Sequence, residues 1–304
     1  DNTGNVAGFW QGVTFAPPEQ IYRRAGIIVG RRVPSPDEID AVKGASTAQL
    51  RTAIRALMDG PGFHDFLVTG ANDRLHTDAF TNGLMFNVGD LNNGWVFPVG
   101  AKKYFDEGNK LEVPYPDWLH DWNYGLSKAA TELIAHIVEE DRSYQEVVTA
   151  DYMMMNPIVS EILRGGITFD DPDNRLEYKP AKNQGQVVRD DQHQAEFVQD
   201  FGTRFDSYGD FIDYPHAGVL NTHAFLNRYP TTDTNRNRAR SRWTYYHFLG
   251  VDIEKSAPRT TDPVALADTN NPTMNNPACT VCHEILDPLA GAFQNYGDAG
   301  RYRS

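Results

Sequence analysis

The pattern of apolar and polar positions along the chain is that of amphipathic helices separated by long polar stretches. The clearest apolar stripe consists of Leu126, Ala130, Leu133 and Ile137, whose spacing predicts a helix over about 118–140. Few segments alternate apolar and polar residues with a period of two, as half-buried strands do. The pattern therefore predicts a mostly α fold with long ordered loops.

Two capping signals mark further helix starts. Ser35 is followed three positions later by Glu38, which is the spacing of a capping box at a helix N-terminus. Ser143 and Glu146 have the same spacing, and they predict a second capped helix that extends through the three methionines at 153–155. Periodic apolar residues predict additional helices at 46–59, 63–75, 223–229 and 235–249.

Two stretches lack helical periodicity. Residues 75–116 are rich in Asn, Gly, Pro and aromatic residues, which predicts a long ordered surface loop. Residues 165–195 are polar and contain several Gly and Pro residues, which makes them the best candidate for a linker or loop between two parts of the chain.

The composition restricts the function. A net charge of −13 and a pI near 5.1 argue against nucleic acid as a partner, because binding a phosphate backbone needs a basic face. The mean hydropathy is −0.53, and no apolar run approaches the roughly 20 residues of a membrane-spanning helix. We therefore expect no transmembrane segment in the chain. No export signal follows Asp1, as expected if an exported protein is represented by its mature chain.

The strongest chemical signal is the motif CTVCH at residues 279–283. Cys279 and Cys282 are the only cysteines in the chain, and His283 directly follows the second. Covalent haem attachment requires two thiols at this spacing for the porphyrin vinyl groups and an adjacent histidine to bind the iron. A zinc site would need further ligands, and a thioredoxin-like dithiol would follow a strand in a βαβ unit, which the pattern does not predict. The motif therefore predicts one covalently bound haem c.

The residues around this motif carry a family resemblance. After His283 come an acidic residue and a proline at 287–288, a glycine at 291 and a Gly-Arg-aromatic ending at 300–302. In this order they resemble the C-terminal haem segment of a poorly characterised bacterial family of monohaem c-type cytochromes, found in planctomycetes and proteobacteria. The segment at 216–243 and the helical segments near the N-terminus also resemble that family. The resemblance implies an exported haem protein with an N-terminal helical module, without a settled activity.

The resemblance and the linker candidate together predict the organisation of the chain. Residues 1–164 are expected to form a helical module for docking or scaffolding, and residues 196–304 a region that binds haem c. The intervening residues 165–195 are the linker or loop. We expect the C-terminal haem region to pack against the N-terminal helical module.

The second axial ligand of the iron is expected to come from upstream, because none of the 21 residues after His283 is Met or His. Met274 is the first candidate, since four intervening residues are long enough to bring it from Cys279 to the opposite face of the porphyrin. The alternatives elsewhere in the chain are Met154, His216 and His223. An iron without a second protein ligand would be open to small molecules.

Four arginines, at 236, 238, 240 and 242, lie close together in the predicted helix 235–249. Arg238 and Arg242 are candidates to bind the haem propionates, because a guanidinium forms paired hydrogen bonds with a carboxylate. A solvated basic face with ordinary ion pairs is the alternative for the same residues.

These features favour a monohaem c-type cytochrome that transfers electrons on the periplasmic or extracellular side of a bacterial membrane. Its expected partner is a redox protein or a larger membrane-associated electron-transfer complex, because binding one haem does not require 304 residues. Two alternatives stay open. A haem enzyme would use an open position on the iron, with the loop at 75–116 shaping its pocket. A structural subunit would use the haem to hold its C-terminal loops together.

Overall fold

The computed structural model describes residues 12–80, 96–97, 117–183, 196–197, 204–205, 214–232, 234–297, 300 and 302. In this part of the chain helices dominate and each strand is two or three residues long, so the predicted mostly α class is confirmed. None of the helices in the described ranges is both long enough and apolar enough to cross a membrane. Most of the predicted loop at 75–116 lies outside the described residues.

The chain divides into two compact units, Asp1–Gly70 and Ala71–Ser304. The second unit contains elements from both predicted modules, 1–164 and 196–304. The prediction assigns a scaffold function to one module and haem binding to the other, with residues 165–195 between them, and a division into compact units does not test these functions. It therefore stays a prediction.

Four helices lie within the described residues 12–75. They are α1 (Pro18–Ile28), α2 (Pro36–Ala41), α3 (Thr47–Ala56) and α4 (Pro61–Leu75), with a 3₁₀ turn at Leu57–Asp59. The helices of the first unit enclose a small apolar core of Tyr22, Val42 and Leu57. The side chain of Ser35 accepts a hydrogen bond from the Glu38 amide, and the Glu38 carboxylate accepts one from the Ser35 amide. The predicted capping box at the start of α2 is therefore confirmed.

The second unit follows with a 3₁₀ turn and short strands between helices. Its first elements are the turn Thr77–Phe80, β1 (Val96–Phe97), α5 (Asp117–Glu139), α6 (Glu146–Thr149), β2 (Met153–Met155), α7 (Pro157–Leu163) and β3 (Lys179–Ala181). Next come β4 (Glu196–Phe197), β5 (Arg204–Phe205), α8 (His223–Arg228), α9 (Arg238–Thr244) and a π-helical turn at Tyr245–Leu249. The last helices are α10 (Ile253–Ser256), α11 (Pro263–Leu266), α12 (Pro272–Asn275) and α13 (Pro277–Ala292).

The core of the second unit forms around α5. Leu126, Ala130, Leu133 and Ile137 are all buried, which confirms the stripe that the sequence predicts. Helices α7 and α8, strand β2 and the Thr77–Phe80 turn pack against α5. Because α8 belongs to the C-terminal part of the chain, this packing joins the C-terminal part to the long helix of the N-terminal half.

The predicted capped helix through the methionine triplet is wrong. Helix α6 ends at Thr149 and has no side-chain cap. The Ser143 hydroxyl accepts a hydrogen bond from the Gln145 amide, and the Glu146 carboxylate accepts hydrogen bonds from Arg142 and Tyr152. The triplet forms the buried strand β2, which pairs antiparallel with β3 so that Met153 lies opposite Ala181. Part of the predicted linker therefore contributes a strand. In the other small sheet, β5 pairs parallel with β1 and antiparallel with β4.

A tight turn just before α8 is hydrogen-bonded to the backbone of α6 and of the residue that follows it. The Gly218 amide donates to the Ala150 carbonyl at 3.0 Å, and the Val219 amide donates to the Val147 carbonyl at 2.8 Å. Gly218 has a φ of +54°, and a Cβ added there would collide with the Val147 carbonyl oxygen. A side chain is therefore excluded both by the backbone conformation and by the neighbouring chain.

We expect Gly218→Ala to lower the free energy of unfolding by about 3 kcal/mol, from left-handed strain together with overpacking. The matched control is Gly166→Ala, because Gly166 has a φ of +70° but open space where its Cβ would stand. This control should cost only about 1 kcal/mol, from the backbone conformation alone. Urea unfolding of both variants measures the difference. Equal losses would contradict the close approach of Gly218 to Val147.

Candidate haem site

The haem motif lies at the start of α13. The Asn276 side chain caps this helix by accepting a hydrogen bond from the Ala278 amide at 3.0 Å, and Pro277 occupies the first helical position. Cys279, Cys282 and His283 follow within the first two turns. Residues three and four positions apart lie on the same side of a helix. The local sequence therefore places both thiols and the imidazole on one face of α13.

This face borders a cavity of about 670 Å³. Its walls come from α9 and Asn235 before it, from α10, the segment after it and α11, and from α13. The side chains that line it are mainly apolar, including Ala239, Trp243, Leu266, Val281 and Leu286. Cys279, Cys282 and His283 all line the cavity as well, and both cysteines are free thiols. The volume falls in the range of about 300–1,000 Å³ that is typical of cofactor pockets.

His283 is held by a carboxylate on the same helix. Its Nδ1 lies 3.0 Å from Oδ1 of Asp287, four residues further along α13. Arg238 of α9 donates two hydrogen bonds to the same carboxylate, from Nε to Oδ1 at 2.7 Å and from Nη2 to Oδ2 at 2.9 Å. Burial alone would raise the pKa of Asp287, but the hydrogen bonds from Arg238 and His283 hold this pKa below its ordinary value. The carboxylate is therefore the charged form, which accepts the Nδ1 hydrogen and leaves Nε2 of His283 available to a metal.

Arg238 and Arg242 both line the cavity, as their predicted role requires, but both already bind carboxylates of the chain. The partners of Arg242 are Asp252, contacted by Nε at 2.9 Å and Nη2 at 3.0 Å, and Glu254, contacted by Nη1 at 2.8 Å. To bind a haem propionate, each guanidinium would share or exchange its present partner. Their assignment to the propionates stays a prediction.

The candidate second ligands lie apart from the described lining of the cavity. Met274 is on α12, which packs against α13, and its side chain is 77% exposed. Met154 is buried in the core beside α5. Nε2 of His216 accepts a hydrogen bond from the Asn183 amide, and burial lowers the pKa of His216 to about 4. His223 is buried at the start of α8, where desolvation lowers its pKa to about 4. None of these four residues is among the described residues that line the cavity.

Two residues of this region gain a role that the sequence analysis did not assign. Asp287 belongs to the family resemblance, and its position four residues after His283 on a helix is also a signal for contact with the histidine ring. The sequence places Arg240 in a run of arginines that suggests a basic face, but Arg240 is completely buried and binds backbone carbonyls. No sequence signal separates Arg240 from its exposed neighbour Arg236, because both stand in the same run of alternating arginines.

The donor set fits a covalently attached haem. Two thiols three residues apart, a histidine whose Nδ1 contacts a carboxylate and a mainly apolar cavity lie together on α13 and its neighbours. These are the groups that thioether attachment and axial ligation require. Within the described residues, no cluster of three or more His, Cys, Asp or Glu side chains has the arrangement of a protein metal site.

The comparison with protein families agrees with this site. Residues 216–304 match the model of a family named PSCyt3 and described as a protein of unknown function (DUF1588). The matched region contains α8 to α13, the cavity and the whole motif CTVCH. The match is consistent with a c-type cytochrome family, and it covers less than a third of the chain. No curated protein and no solved structure matches the chain.

Proposed function

We propose that this protein is a monohaem c-type cytochrome that transfers electrons outside the cytoplasm as a subunit of a larger redox assembly. The observation that supports it best is that Cys279, Cys282 and His283 line one apolar cavity of about 670 Å³. The family match over the same residues supports a cytochrome-like role. When bound, the haem supplies one-electron chemistry between Fe(III) and Fe(II).

The chain's own residues hold and shield this group. Cys279 and Cys282 would hold the porphyrin through thioether bonds, and Nε2 of His283 would bind the iron. Trp243 and the other apolar lining residues would cover part of the porphyrin, and such shielding influences the reduction potential. Arg238 and Arg242 provide positive charge at the cavity for the propionates.

The proposed role within an assembly is based on the small part of the chain that forms the cavity. All of its described lining residues fall between Asn235 and Leu286. The unit Asp1–Gly70 has a core of its own around Tyr22, Val42 and Leu57, and none of the cavity's described lining residues belongs to it. We propose that the N-terminal helices dock a redox partner, or a larger membrane-associated electron-transfer complex, on the periplasmic or extracellular side of a bacterial membrane.

One contact favours catalysis as a second candidate. The carboxylate of Asp287 on Nδ1 makes the imidazole of His283 a stronger donor to iron. A strong donor stabilises higher oxidation states, which suits a haem enzyme that binds a small molecule at the opposite position. The carrier and the enzyme therefore differ in what occupies that position.

Absorption spectroscopy separates the two candidates. The protein is produced in a host that matures c-type cytochromes, and spectra are recorded oxidised, reduced, and reduced under carbon monoxide. The carrier predicts a low-spin spectrum that carbon monoxide does not change. Binding of carbon monoxide would favour the enzyme, and a protein without any haem spectrum would refute both.

The same spectra test the second ligand. If Met274 binds the iron, Met274→Ala should convert the low-spin spectrum to a high-spin one. The matched control is Met58→Ala, a partly exposed methionine of the first unit, which should leave the spectrum unchanged. An unchanged spectrum in Met274→Ala would transfer the role to Met154, His216, His223 or a small molecule.

A further inference from the structure

The carboxylate of Asp287 stands between a histidine and an arginine. Its Oδ1 atom contacts both Nδ1 of His283, at 3.0 Å, and Nε of Arg238, at 2.7 Å. All three side chains are mostly shielded, with exposures of 22% for His283, 33% for Asp287 and 24% for Arg238. A hydrogen bond in such a partly desolvated place is stronger than one in water. The three side chains therefore form one hydrogen-bonded network across the interface of α9 and α13.

We propose that Asp287 is a positioning and tuning residue for the iron-binding nitrogen of His283, and that Arg238 counteracts it by acting through Asp287. The proposal rests on the proposed function, in which His283 binds the haem iron. It goes beyond that function because it assigns the two residues opposite effects on the reduction potential.

The effect of Asp287 follows from the hydrogen bond to Nδ1. A carboxylate that accepts this hydrogen fixes the tautomer and ring orientation of the histidine and raises the basicity of the other nitrogen. A more basic Nε2 stabilises Fe(III) relative to Fe(II). The reduction potential of the wild-type protein is therefore lower than it would be with a neutral acceptor at position 287.

The effect of Arg238 has the opposite sign. Its guanidinium shares both carboxylate oxygens, so it withdraws negative charge that would otherwise act on Nδ1 of His283. A salt bridge that served only to join α9 to α13 would need no third group. Arg242 and Asp252 form a bidentate pair nearby that joins α9 to the start of α10, and Asp252 has no contact with His283 among the described hydrogen bonds.

The test is a double-mutant cycle read as reduction potential. Potentials are measured by spectroelectrochemical titration for the wild type, Asp287→Asn, Arg238→Gln and the double variant. Asp287→Asn should shift the Fe(III)/Fe(II) equilibrium toward Fe(II) by about tenfold, which corresponds to about 59 mV for a one-electron couple. Arg238→Gln should lower the potential by a smaller amount.

The double variant decides how Arg238 acts. If it acts through Asp287, Arg238→Gln should have almost no effect in the Asp287→Asn background, because coupled residues are not additive. Additive shifts would mean that both charges act separately through space, and they would overturn the assignment. The matched control is Asp121→Asn, which removes a carboxylate paired with Arg175 away from the cavity and should leave the potential unchanged.

A second measurement keeps the proposal testable if Asp287→Asn does not retain haem. Solvent exchange of the His283 Nδ1 proton is followed by NMR in the wild type and in Arg238→Gln. Slow exchange in both, with a lowered potential in Arg238→Gln, is the expected result. Rapid exchange in the wild type, or an unchanged or raised potential in Arg238→Gln, would overturn the proposal. A wild type that carries haem but gives those results refutes only this inference, whereas a wild type without haem refutes the proposed function and this inference with it.

Discussion

Replacing both Cys279 and Cys282 with serine is expected to yield a protein without covalently bound haem. The two thiols are the only ones in the chain, so no other side chain can form a thioether with the porphyrin. Haem staining of a denaturing gel should show a band for the wild type and none for the double variant. Each single variant should retain at most a weak band, because one thioether remains possible.

Thr280→Ser is the matched control for this loss. Thr280 lies between the two cysteines on α13 but is not among the residues that line the cavity. This variant should stain as strongly as the wild type. Retained staining in the double cysteine variant would contradict covalent attachment at this motif.

Arg240→Met is expected to lower the free energy of unfolding of the haem-loaded protein by about 3–5 kcal/mol, because several buried acceptors would each lose a hydrogen bond from a charged donor. Arg240 has no exposed surface. Its guanidinium donates to the Leu226 carbonyl of α8, at 2.9 Å from Nη2, and to the Tyr296 and Gly297 carbonyls, at 2.9 and 2.8 Å. Methionine would leave these carbonyls buried without a donor, which adds to the loss of the contacts themselves.

The control is Arg236→Met, because Arg236 is exposed and stands in the same run of arginines. This substitution should change the free energy of unfolding by less than about 0.5 kcal/mol. Urea unfolding of both variants, each checked for its haem content, measures the contrast. Similar stabilities of the two variants would show that the buried network contributes little.

The features that could be predicted from the sequence are those set by neighbours along the chain. The capping box of Ser35 and Glu38, the apolar stripe of α5 and the haem motif each depend on residues within a few turns of one another. Local spacing is enough to specify such features. The structure accordingly confirms the first two, and it places the motif on one helix beside a cavity.

The features that sequence reasoning missed depend on distant parts of the chain. The methionines at 153–155 form a strand only because β3, more than twenty residues later, pairs with them. Arg240 is buried only because α8 and the segment after α13 supply carbonyl groups to it. The contact of Asp287 with Arg238 joins two helices almost fifty positions apart. Periodicity within a short window contains no information on such pairings.

The central claim is that one haem is attached through Cys279 and Cys282, and the intact mass of the purified protein tests it most directly. The polypeptide has a mass of 34.1 kDa. For protein matured in a c-type cytochrome host and then denatured, the claim predicts an added mass of one haem, found after proteolysis on the peptide that contains residues 279–283. A denatured protein with the mass of the bare polypeptide would contradict the account.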